Sequence, residues 1–134
     1  MNTEMLFSEL RRRYADLSSG TDSCSRIAKE DFSRWCVDLG LSRASLYEVV
    51  GTYLARGFHA SELDFAFCDA VANDLFTVAV EADDGKTPEL FWQVFLAFDA
   101  GEQHKPFDDD DPVETRTRPL IAEIVMHLSN KPLG

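Results

Sequence analysis

Residues 61–82 read SELDFAFCDAVANDLFTVAVEA, and whether this run forms a helix or a strand decides the fold class. Leu63, Phe67, Val71, Leu75 and Val78 recur every three or four residues, the spacing of one helix face. Phe65, Cys68, Ala72, Phe76 and Ala79 widen that face, which predicts a buried, central helix over 63–82. Ser61 with Asp64 three residues on resembles a capping box with the shorter acid, and Asp83, Asp84 and Gly85 follow as a stop. Phe76, Val78 and Val80 also alternate with period two, so at 76–80 a strand reading stays open beside the helical one.

On either side the helical period is clearer. Thr3 is an expected N-cap for a first helix with Leu6, Leu10, Tyr14 and Leu17 on one face and Gly20 after its end. Asp31 is expected to cap a second, carrying Phe32, Trp35, Cys36 and Leu39 and stopping at Gly40. Ser42 opens a third, with Leu46, Val49, Val50, Tyr53 and Leu54 inward and Gly57 at its close. Thr87, Pro88 and Glu89 form a start signal for Leu90–Ala100, which Gly101 closes. In that helix Phe91, Phe95 and Phe98 share a face, with Trp92 off its centre. Asp111, Pro112 and Glu114 repeat the start signal for a last segment bearing Leu120, Ile121, Ile124, Val125 and Leu128, which Pro119 must kink or restart. The expectation is therefore an all-α, compact bundle of five or six helices in a single helical domain, 1–134.

The 134 residues suffice for one core without disulfides, and 45% hydrophobic content sets the chain apart from disordered tails. The longest apolar stretch, Phe91–Phe98, is far short of the roughly 20 residues of a membrane span, and no signal-peptide pattern opens the chain. The expected location is cytoplasmic, folded alone or as a simple homo-oligomer. Cys24, Cys36 and Cys68 form no CxxC or paired zinc pattern and read as free thiols.

Charge is unevenly placed. The net is −11, yet residues 1–60 hold eight acids and eight bases, and residues 61–134 hold sixteen acids against five bases. A polyphosphate backbone would be repelled by the second half, and a basic protein would be steered toward it. This predicts a non-enzymatic module that binds a basic partner. Asp83, Asp84, Asp108, Asp109, Asp110 and Asp111 would steer encounter, and Trp92 and Phe107 would supply apolar contact. In composition such a protein is similar in kind to immunity proteins and other inhibitors of basic toxins or nucleases.

Residues 31–56 also resemble the helix-turn-helix motif of bacterial DNA-binding regulators. Gly40 stands at the turn glycine, Cys36 at the small residue four earlier, and Leu39, Leu41, Leu46 and Val49 at the packing positions. The resemblance implies that Ser42, Arg43, Ser45 and Tyr47 face the major groove, with Arg34 and Arg56 near phosphates. Three arginines there are offset by Asp31, Asp38 and Glu48, so the usual cationic footprint is absent. A third class, a metal-assisted hydrolase, would draw on Glu102, His104 and the aspartates of 108–111, and Asp99 with Glu102, three apart at a helix end within reach of His104, could form an acid/base set. No glycine-rich phosphate loop, nucleophile elbow or HExxH pair accompanies them, and no cofactor signature is present.

Overall fold

Six α-helices and one π-helical turn account for the described residues, which in this computed structural model are 1–15, 26–82, 87–102 and 111–130. In chain order these are α1 (Thr3–Arg13), α2 (Lys29–Leu39), α3 (Arg43–His59), α4 (Phe65–Glu81), α5 (Glu89–Glu102), the π-turn Val113–Thr117 and α6 (Arg118–Asn130). The architecture is an all-α bundle, as the periodicity predicted. The open question at 76–80 resolves as helix: Phe76 and Val80 lie one turn apart on the outer side of α4, whereas Val78 is buried with Leu75 and Ala79. The apparent alternation is thus a helix whose two faces are both apolar.

The centre of the bundle is α3 rather than the expected α4. α3 packs against α2, α4, α5 and α6, and Phe7 of α1 stacks on its Tyr53 at 3.8 Å. At Gly51 an added methyl would lie 3.6 Å from Phe91 Cα, so the backbones of α3 and α5 come close together. Leu46, Tyr47, Val50, Leu54 and Phe58 then fill the space between helices, and each is buried.

Several ends differ from the sequence expectation, each for a local reason. Asn2, not Thr3, caps α1, its Oδ1 accepting from Met5 N at 2.9 Å. α2 begins at Lys29, so Asp31 is its third residue, and it accepts from Ala28 N (3.0 Å) as the returning half of a capping box. Asp64, rather than Ser61, caps α4 through Phe67 N, and Ser61 forms the preceding turn with φ at 61°. Trp92 N donates to Pro88 O, so Pro88 stands just ahead of α5 instead of at its first position. Gly57 and Gly101 do not end helices. Both lie inside them, pressed against Leu63 and against Thr117 and Phe65 respectively.

Gly40 and Ser42 behave as expected. Gly40 takes the left-handed conformation at φ 66°, and Ser42 Oγ accepts from Ser45 N at 3.1 Å. Ser42→Ala is expected to cost about 1 kcal/mol, read as a fall in the urea midpoint with an unchanged slope. Asp111 likewise opens the last segment, accepting from Val113 N at its carboxylate and from Thr115 N at its carbonyl. Pro119 neither breaks nor stops the chain there. The π-turn before it widens the backbone, Arg118 N donating to Val113 O, and α6 follows directly.

Two polar clusters tie α1 to the rest. Arg13 reaches Glu9, Asp31 and the Arg26 carbonyl, and lies 5.2 Å from the Trp35 ring centroid. Its hydrogen bond holds the Asp31 carboxyl below the usual range, and Arg12 and Arg13 together bring Glu9 down to about 2. Tyr14 donates its hydroxyl to Asp74 of α4, which also accepts from Arg26 N at 3.0 Å. Burial, more than that carboxylate, pushes the Tyr14 hydroxyl well above the ordinary tyrosine value.

Candidate functional site

α5 turns an apolar stripe outward. Phe91, Val94 and Phe98 face the core, which leaves Trp92 and Leu96, one turn apart, on the opposite side at 42% and 44% exposure. Trp92 does not stand alone. Its ring meets Phe76 of α4 at 5.7 Å and Phe95 at 5.6 Å, and Phe76 and Phe95 stack at 4.5 Å with planes 12° apart. Phe95 is half-buried: it packs against the core at the edge of the face of Phe91 and Phe98, as its spacing suggested, and also joins this outer cluster. Val80, one turn beyond Phe76 on α4, is 63% exposed and extends the patch.

The stripe continues into a shallow groove of about 430 Å³ between α5 and α6, lined by Leu96, Ala97, Leu120 and Ile124 with Gln93, Glu123 and His127 at its edges. Glu123 lines this groove, and the exposed Glu81 and Glu89 adjoin Val80 and Leu90 in the chain. Rigid aromatic rings held in place by one another, with a carboxylate rim, have the make-up of a protein-contact surface.

Of the residues expected to contact a partner, only Trp92 and Asp111 lie among the described residues. Trp92 lies in the first turn of α5, about 15 Å along the axis from Glu102. Asp111 lies toward the other end of α5: Thr117 Oγ1 donates to Ala97 O at 2.7 Å and abuts Gly101, while residues 120–127 run back toward Gln93. Trp92 and Asp111 are therefore separated rather than juxtaposed. Asp83, Asp84, Phe107, Asp108, Asp109 and Asp110 lie outside the described residues, as do His104 and Cys24.

The groove-reading residues of the helix-turn-helix resemblance are not presented together. Tyr47 is 1% exposed, packed between Phe32 (4.5 Å) and Phe91 (5.2 Å), so it does not face outward. Arg43 folds back over the Phe32 ring at 4.6 Å and donates to Ser33 Oγ at 3.1 Å. Ser42 and Ser45 bond to each other in the cap. The glycine turn and the packing positions are present, but Tyr47 and Arg43 are committed to holding α2 on α3.

A different carboxyl pair emerges where α4 passes the end of α5. Asp69, which sequence reading did not single out, hydrogen-bonds to Glu102. Burial first, then that contact and the nearby Asp99, pushes its pKa up to about 8. Asp69 thus retains a proton where a carboxyl ordinarily has none, and donates it to Glu102. Nothing local in the sequence marks it, because the two acids stand thirty-three positions apart. Among the described residues no group of three or more His, Cys, Asp or Glu side chains is arranged to hold a metal ion, and no helix is long and apolar enough to cross a membrane.

Cys36 is half-buried and Cys68 is buried, its thiol directed at Leu54 O and its pKa raised, chiefly by burial. Such a thiol packs as a small apolar group.

No protein-family model, no curated protein and no solved structure matches this chain.

Proposed function

We propose that this protein is a small, acidic, non-enzymatic binding module that engages a basic protein, in the manner of an immunity or inhibitor protein neutralising a toxin or nuclease. The observation that carries this reading is the exposed Trp92 cluster, with Phe76 against its ring, Val80 and Leu96 exposed on the same two helices, and exposed Glu81, Glu89 and Glu123 on the helices that form the surface. The apolar centre supplies contact lifetime, and the surrounding carboxylates supply attraction and orientation. The sequence adds Asp83 and Asp84 between α4 and α5, and sixteen of the chain's acids after residue 60.

The test is capture from extract of the native cell by immobilised protein, compared with the Trp92→Ala variant. The expected result is a cationic protein retained by the wild type, released by about 0.5 M salt and held at least about 30-fold more weakly by Trp92→Ala. If the retained proteins are the same for the variant and indifferent to salt, the reading is wrong.

A further inference from the structure

A second surface, remote from Trp92, runs along the solvent side of α3. Here a groove of about 740 Å³ is floored by Phe7, Val49 and Tyr53. It lies along the i±4 row Glu48, Thr52 and Arg56. Glu48 and Arg56 are both exposed. Among the described residues neither side chain makes a hydrogen bond or ion pair, unlike Glu9, Asp31 and Glu114, each of which holds an arginine.

The placement of these charges is self-complementary. Glu48 and Arg56 lie four residues to either side of Thr52, about 6 Å along the axis in opposite directions. A twofold rotation about an axis through Thr52 therefore superposes acid on base. We propose that the α3 groove is the interface of a homodimer, in which two α3 helices cross antiparallel at Thr52 and Glu48 of each copy meets the partner's Arg56. Such an isologous contact doubles every favourable pair. Packing of the i±4 rows gives a crossing near −50°, and the small residues Ser45 and Thr52 let the helices approach.

The charge distribution makes this face the one a second copy can approach. A protein of net charge −11 repels its own kind, and the approach least opposed is through α1 and α3, which belong to the half with eight acids and eight bases. The Trp92 surface is formed by α4, α5 and α6, so this inference stands apart from the proposed partner.

The test uses the full chain, with mass followed by light scattering and sedimentation across a concentration series. The wild type is expected to approach twice 15.1 kDa. Glu48→Arg and Arg56→Glu each set like charges across the axis, and each is expected to weaken the dimer by about 30-fold or more. Mixing the two single variants restores both pairs and is expected to yield a heterodimer, and E48R/R56E together is expected to restore the homodimer. A wild type that stays monomeric throughout, or single variants that dimerise normally, or a double variant that fails to recover, overturns the proposal. Both side chains are exposed, so each variant is expected to fold, its melting temperature falling only by what dimerisation contributes at the concentration used. If either single variant fails to fold, Thr52→Glu takes its place by setting two carboxylates on the axis.

Discussion

Gly101→Ala is expected to destabilise the protein by about 2 kcal/mol, a fall of roughly 6–10 °C in melting temperature for a chain of this size. In an ordinary helix the same change is favourable, because alanine has the better helix propensity. Here the added methyl would collide with Thr117 Oγ1 and come within 2.8 Å of the Phe65 ring. Neither obstacle yields easily. Thr117 is fully buried and its hydroxyl is bonded to Ala97 O, while Phe65 packs against Phe98. The methyl must therefore break a buried hydrogen bond or force α5 away from the π-turn. Gly51→Ala is the internal comparison. Its methyl meets Phe91 at 3.6 Å, ordinary contact, so that variant is expected to be more stable than wild type by about 0.5–1 kcal/mol. Thermal melts of the two variants should move in opposite directions. A neutral or stabilising Gly101→Ala would show that α5 and Thr117 are not in close contact.

Raising the pH from about 5 to about 9 is expected to lower stability through Asp69, and Asp69→Asn is expected to remove that loss. The folded-state pKa of Asp69 lies at about 8, above its ordinary 3.8. Between those values the folded protein holds a proton that the unfolded chain has released. Its contribution is therefore fully present at acid pH and is lost as pH rises through about 8. An asparagine keeps a donor toward Glu102 without acquiring charge. The variant should melt close to wild type near pH 5 and several degrees higher near pH 9, on the order of 1–2 kcal/mol once screening at this half-buried site is allowed for. Glu9 and Asp31 act in the opposite sense: their lowered pKa values give stability present above their ordinary range and lost as the solution is acidified. Parallel pH profiles for wild type and Asp69→Asn would remove the pair's proton sharing from the account.

The parts of the fold that were legible share one property: the information lies within a turn or two of helix. The stripe of α2, the cap at Ser42 and the left-handed stop at Gly40 depend on neighbours three or four residues away. Legibility failed where the deciding neighbour was remote. Gly57 and Gly101 have the local look of helix stops, but each makes room for a residue of another segment, Leu63 in one case and Thr117 with Phe65 in the other. Tyr47 fits a groove-reading position by spacing, and only the approach of Phe32 and Phe91 from two other helices buries it. Trp92 was legible as an off-centre aromatic on α5, whereas its union with Phe76 depends on α4 lying alongside.

From its sequence alone this chain had its class determined: helices with apolar faces, an odd number of cysteines, and acids confined in excess to the second half. Tertiary structure decided which helix is central, which carboxyl keeps a proton and which apolar side chains remain outside. The division is physical. Helix propensity, capping and amphipathic period are short-range, whereas burial, desolvation and close approach arise between residues far apart in the chain. Asp69 and Glu102 show the difference most directly, since neither acid is unusual until α4 and α5 bring them together.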